Sequence, residues 1–214
     1  MKRTVRDLVG LKGKVVLLRV DFNVPIDENG RIADATRIIN AIPTIEYLIK
    51  QRAKVVILSH LGRPKGYDIH KSLWPAALFL KQQLPCSVGF CHSLFDDEAK
   101  HRISILEEGH VLVLENTRFY EGEESNDMAF SKKLAALGDI YVNDAFATAH
   151  RENASTFGVA RILPNAIGLL MEKEIKALSP LMENPKHPLW LLLVGQKCHL
   201  NLKYLETCLK KRIP

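Results

Sequence analysis

Four short apolar runs, each ending abruptly in polar and charged residues, constrain the fold of this chain more than any other feature. The first, Val15-Val16-Leu17-Leu18-Arg19-Val20, breaks into Asp21-Phe22-Asn23-Val24-Pro25. The second, Lys54-Val55-Val56-Ile57-Leu58, breaks into Ser59-His60-Leu61-Gly62-Arg63-Pro64. Val111-Leu112-Val113-Leu114 runs into Glu115-Asn116-Thr117-Arg118-Phe119, and Ile140-Tyr141-Val142 into Asn143-Asp144-Ala145-Phe146-Ala147-Thr148-Ala149-His150-Arg151. Unbroken β-branched runs are what strands buried on both faces require. In open α/β sheets ligands bind beyond the carboxyl ends of such strands, where these polar clusters fall. Pro25 lacks an amide donor and restricts Val24, so the first strand is expected to stop there.

Helical patterns alternate with the runs. Ile38, Ile39, Ile42, Ile45, Leu48 and Ile49 recur at three- and four-residue spacing and predict a helix from Thr36 to Gln51. A second is expected from Leu73 to Gln83, with Pro75 in its first turn, and a third from Asp127 to Leu137, with Gly138 as its C′ stop. Cys86 to Phe90 reads as a weaker strand. A long helix is expected from Gly168 to Met182, and an apolar strand from Leu189 to Val194 after the break at Pro185 and Pro188. Gly158 and Gly168 lie near helix boundaries and receive no chemical role. The alternation predicts an α/β fold: a three-layer, doubly wound, mainly parallel sheet with helices on both faces.

The 214 residues suffice for one good core. No run of 18 apolar residues occurs, and Met1 to Asp7 has no apolar stretch of the secretory kind, so the expectation is a cytoplasmic protein with no membrane partner. Cys86, Cys91, Cys198 and Cys208 match no zinc spacing and read as packing thiols, so no metal site is expected. The net charge of +6 suits an anionic ligand or nucleic acid. The basic residues are dispersed and no nucleic-acid motif is present, which favours a folded pocket over a basic arm.

RVDFNVP at Arg19 to Pro25, SHLGRP at Ser59 to Pro64, LENTRF at Leu114 to Phe119 and NDAFATAHR at Asn143 to Arg151 resemble, in order, the N-terminal substrate-binding half of phosphoglycerate kinases. The resemblance covers roughly the first 190 residues. It implies a Rossmann-like domain over 1–167 that holds 3-phosphoglycerate or 1,3-bisphosphoglycerate. An interdomain helix and linker would cover 168–187, and the start of a nucleotide domain 188–214. By the resemblance, Asp21 and Asn23 hydrogen-bond the hydroxyl and carboxylate end of the acid, and Arg63, Arg118 and Arg151 take its phosphate with His60 beside them. Arg37 matches the catalytic arginine, neutralising charge on the transferring phosphoryl and the acceptor carboxylate.

On the residues alone, an Asx-turn at the strand exit is the lesser alternative for Asp21 and Asn23, and a solvated surface charge is the reading of each arginine taken singly, which the four strand-end contexts together disfavour. The phosphoryl partner implied is ATP or ADP with magnesium. Lys197, in Val194-Gly195-Gln196-Lys197-Cys198-His199-Leu200-Asn201, matches the first lysine of the family's nucleotide turn, while Asn201 stands where the second is expected and Val194 replaces a glycine. The chain by itself is therefore expected to bind the acid weakly and turn over little or no ATP. The apolar segment 189–209 is expected to dock a complementing domain or another copy. The alternative reading is a non-catalytic relative that binds the acid or another protein.

Overall fold

The computed structural model describes residues 3–183. The strands β1 (Val15–Arg19), β2 (Lys54–Leu58), β3 (Val88–Cys91), β4 (Val111–Leu114), β5 (Ile140–Asn143) and β6 (Asn165–Ile167) form one sheet in the order β3-β4-β2-β1-β5-β6. Every pairing between them is parallel. β1 lies between β2 and β5, and its last residue, Arg19, is level with Leu58 on one side and Asn143 on the other. The carboxyl ends of the central strands therefore finish at one edge, and the loops that leave them share one space.

Period-two alternation divides the strand side chains between two cores. Val16, Leu18, Val55, Ile57, Val111, Val113 and Val142 enter the first. There the helices α1 (Thr36–Lys50) and α2 (Trp74–Gln83) bury Ile38, Ala41, Ile45, Leu48, Ala76, Ala77 and Leu80. Leu17, Val56, Leu58, Leu112, Leu114 and Tyr141 enter the second core. There α3 (Asp97–Ser104) and α4 (Met128–Ala135) bury Ala99, Ile103, Phe130, Leu134 and Ala135. The result is the three-layer, doubly wound sheet that the sequence pattern predicts.

Helix starts follow local chemistry. The Asp96 and Asp127 carboxylates accept the Ala99 and Phe130 amides, each at 2.7 Å, and cap α3 and α4. Asp34 Oδ1 accepts both the amide of Thr36, at 2.8 Å, and its hydroxyl, at 2.6 Å, where α1 begins.

Three local expectations are corrected. The weak strand runs Val88–Cys91 rather than 86–90. The third helix ends at Ala135, and Gly138 is not its left-handed stop, because its φ is not positive. A Cβ at Gly138 would lie 2.6 Å from Leu17 Cγ and 3.1 Å from the Val15 carbonyl, so glycine is there to let the chain pass against β1. The helix α3 and the strand β6 have no strong local pattern. Only Ala99 and Ile103 of α3 are buried, and β6 has three residues.

The helix α5 (Leu169–Glu183) follows β6. The chain divides into compact units over 1–172 and 173–214, and the site lies in the first. The strand expected over 189–194, Lys197, Asn201, Cys198, Cys208 and the apolar segment 189–209 lie outside the described residues. No described helix is long and apolar enough to cross a membrane. Cys86 and Cys91 are free thiols.

Candidate functional site

The turns after β1, β2, β4 and β5 meet above the sheet edge, around a cavity of about 320 Å³. Asp21, Asn23, Arg37, His60, Arg63, Arg118 and Arg151 all line it, with Gly62, Ala147 and Thr148. All seven residues singled out from the sequence are thus brought to one space.

Asp21 and Asn23 lie beyond β1, so strand alternation does not explain their convergence. An Asx-turn does: the Asn23 amide donates to Asp21 Oδ1 at 3.1 Å. The turn and the cavity role are compatible, because Asp21 Oδ2 is still free to pair with Arg37 Nη1. The Asn23 side-chain oxygen accepts the Gly62 amide at 2.9 Å and so ties the turns after β1 and β2 together. Gly62 has φ +64°, the left-handed conformation that favours glycine.

Arg37 occupies the first turn of α1. A cation there opposes the helix dipole, so nothing in the helix itself favours it. It is exposed, and the largely covered carboxylate of Asp21 holds it over the cavity.

Arg118 is anchored more deeply. Its Nη1 donates to the Gly62 carbonyl at 2.6 Å, and its Nε lies 3.1 Å from the exposed Glu124 carboxylate. Burial lowers its pKa, with Glu124 opposing and Arg151 adding to the shift. Arg63 is exposed and Arg151 half-buried. Neither guanidinium has an ion-pair or hydrogen-bond partner among the described residues. Four guanidiniums thus face a single lining carboxylate, which is the donor set for an anion.

His60 is buried, and its pKa is pushed down to about 2 by desolvation first and then by Arg19, Arg118, Arg151 and Arg37. The imidazole is therefore neutral at ordinary pH.

The sequence reasoning passed over the residues that hold these loops. Glu115 is buried and accepts the Ser72 hydroxyl at 2.7 Å and the Leu73 and Asn116 amides at 2.9 and 2.8 Å. Asn116 Nδ2 donates to the Leu61 and Lys71 carbonyls, and its Oδ1 accepts the Arg118 amide. Ser59 Oγ accepts the Phe22 amide at 2.9 Å and donates to the Val20 carbonyl. The available signal was polarity immediately after buried strands, which marks supports and ligands alike. Among the described residues no group of three or more His, Cys, Asp or Glu side chains gathers as a metal site. The cation-rich lining of the cavity does not fit a magnesium ion.

A family model described as "Phosphoglycerate kinase" matches residues 5–212. The phosphoglycerate kinase of Fervidobacterium nodosum is 49% identical over 211 residues, 98% of this chain and 52% of the relative. That of Xanthobacter flavus is 49% identical over 209 residues, 98% of this chain and 52% of the relative. The solved phosphoglycerate kinase of Pyrococcus horikoshii superposes with a TM-score of 0.88 at 38% identity, over 98% of this chain and 53% of that one. That of Coxiella burnetii gives 0.87 at 38% identity, over 99% and 53%. The chain spans about half the length of the curated relatives it matches.

Proposed function

The chain belongs to the phosphoglycerate kinase family, and from that premise we propose that its cavity binds 3-phosphoglycerate or 1,3-bisphosphoglycerate as the acid-binding half of the phosphoryl-transfer reaction. The observation that carries this reading is the convergence of four arginines, Asp21, Asn23 and His60 on one small cavity.

A three-carbon phosphorylated acid carries negative charge at both ends, and the lining is organised to match. Arg63, Arg118 and Arg151 come from loops after β2, β4 and β5 and take the phosphate, which accepts parallel hydrogen bonds from guanidinium forks. Asp21 and Asn23, fixed by the turn after β1, meet the hydroxyl and carboxylate end. Arg37 is the catalytic residue of this half. At the exposed rim it neutralises charge on the acceptor carboxylate and on the phosphoryl arriving from solvent. Its pairing with Asp21 sets its aim before the ligand arrives, so little reorganisation is left for the reaction.

Family membership implies ATP or ADP with magnesium as the phosphoryl partner. On this reading the acid-binding domain is 1–167, 168–187 leads out of it, and 188–214, with Lys197, opens the nucleotide side. A cytoplasmic location accords with the substrate. Asn201 and Val194, which depart from the family's lysine turn, favour a second reading in which the chain binds the acid without turning over ATP.

Calorimetry with 3-phosphoglycerate on the wild type and Arg37→Ala, with an ATP-turnover assay alongside, tests both readings. Binding by the wild type that weakens in the variant supports acid binding. No heat and no thermal shift at millimolar acid would overturn it, and binding without turnover selects the second reading.

A further inference from the structure

Arg19 ends β1 with its guanidinium in the second core, where strand alternation calls for an apolar side chain. It is 1% exposed, and it is among the largest fully buried side chains. Burying a charge is costly unless it is paired and hydrogen-bonded, so its contacts require a reason.

Arg19 Nε donates to Ser155 Oγ at 2.8 Å, and Nη1 donates to the Val20 carbonyl. The Ser155 hydroxyl in turn donates a hydrogen bond to Glu123 Oε1 at 2.6 Å, and the Ser155 amide donates to Glu123 Oε2 at 3.0 Å. Thr117 Oγ1 donates to Glu123 Oε1 at 3.2 Å. Glu123, Ser155 and Thr117 are completely buried, so the Glu123 carboxylate balances the guanidinium through one hydroxyl. The remaining arm, Nη2, lies 3.0 Å from His60 Nδ1.

Guanidinium has five N–H donors and no acceptor. The contact to His60 therefore requires a lone pair on Nδ1. A proton there would set donor against donor and cation against cation. A neutral imidazole without a proton on Nδ1 carries it on Nε2. His60 lines the cavity, and its Nε2 makes no hydrogen bond to any described residue. Arg19, Arg118, Arg151 and Arg37 all oppose protonation of the ring, Arg63 adds a further cation to the cavity lining, and the single lining carboxylate, Asp21, is paired with Arg37.

We propose that Arg19, held by the Ser155–Glu123 pair, is a positioning residue that fixes His60 as the Nε2–H tautomer, so that the imidazole meets the ligand as an uncharged hydrogen-bond donor. The ligand atom against His60 is then an acceptor oxygen, and His60 has no lone pair at Nε2 with which to act as a general base. The ligand part of this inference rests on the acid-binding reading, whereas the tautomer part does not.

The test is ring nitrogen NMR of the full chain labelled with 15N-histidine. His60 is one of eight histidines and is assigned by comparison with His60→Gln. From about pH 8 to about pH 5, where an ordinary histidine titrates, wild-type His60 is expected to keep a protonated Nε2 and a bare Nδ1. Arg19→Gln is expected to show a titrating ring or a tautomer mixture, and Arg19→Lys, which keeps a charged donor, to restore part of the wild-type signature. A wild-type Nδ1–H tautomer, titration near the ordinary value, or an unchanged His60 in Arg19→Gln overturns the proposal. Should Arg19→Gln fail to fold, Ser155→Ala, which frees Arg19 Nε, provides the perturbed ring, and an unchanged His60 there counts against it equally. Calorimetry with 3-phosphoglycerate supplies the second arm: Arg19→Gln is expected to lose roughly tenfold in affinity, about one hydrogen bond. An unaffected affinity overturns the ligand part. A wild type that binds no acid removes the acid-binding reading and leaves the tautomer to be judged by the spectrum.

Discussion

The Asn23 carboxamide oxygen accepts the Gly62 amide at 2.9 Å, and together with the Ser59 hydroxyl, which bonds the Phe22 amide and the Val20 carbonyl, this bond joins the turn after β1 to the turn after β2 beside the cavity. Asn23→Ala removes the Asn23 part of that joint and leaves the Gly62 amide without its acceptor. A stability loss of about 1–2 kcal/mol is expected by denaturant titration. Loss of acid binding is expected to exceed that measured for removal of any exposed lysine. An intact affinity would mean that the Ser59 bonds hold the two turns in place without the Asn23 carboxamide.

Arg37→Ala separates function from stability. The Arg37–Asp21 pair is half exposed on the arginine side, and such pairs contribute at most about 1 kcal/mol. The melting temperature should therefore hardly move, while phosphoryl transfer with a supplied nucleotide domain should fall by roughly 10³ or more. A variant that is destabilised yet fully active would assign Arg37 to the scaffold.

The buried His60 makes stability depend on acid. Its folded pKa, about 2, lies below the 6.5 of the unfolded chain, so the unfolded state binds the extra proton between those values. The contribution is complete above about pH 6.5 and is lost progressively as pH falls toward 2, by up to about 1.4 kcal/mol per pH unit. Unfolding curves from pH 7 to pH 5 should be flatter for His60→Gln than for the wild type. Parallel curves would show that His60 titrates normally in the native state.

Asp144 has the opposite sign. Burial raises its carboxyl pKa above 3.8, against hydrogen bonds that include the Met171 amide. Its contribution is complete below about pH 3.8 and is lost as pH rises through the folded value. Asp144→Asn keeps an acceptor for that amide and removes the charge, and it is expected to match or exceed the wild type in stability at pH 7. A loss above about 2 kcal/mol there would mean that the ionised form is the native one.

Glu115 supports the site without reacting in it. Glu115→Ala leaves the Ser72 hydroxyl and the Leu73 and Asn116 amides without a buried acceptor, and a loss of several kcal/mol is expected in calorimetric unfolding. A near-neutral effect would require water to replace the carboxylate.

What the sequence determined by itself was the strands β1, β2, β4 and β5, the helices α1, α2, α4 and α5, the sheet class and the residues at those strand ends, because periodicity and capping act between near neighbours. The runs at 15–20, 54–58, 111–114 and 140–142 appear as β1, β2, β4 and β5 with ends shifted by at most one residue. Weaker local signals did not suffice for α3, for β6 or for the reason behind Gly138, where a neighbouring strand decides the outcome. The tertiary structure alone decided what each polar residue does. Glu115 and Asn116 follow a strand as Asp21 and Asn23 do, yet the first two point their hydrogen bonds into the scaffold while the second two line the cavity. Arg19 meets Ser155 across 136 positions of sequence and reaches His60 across 41, and burial first, with that guanidinium second, sets the protonation of the imidazole. The energy of a charge depends on which groups replace its water, and only the folded chain sets those neighbours.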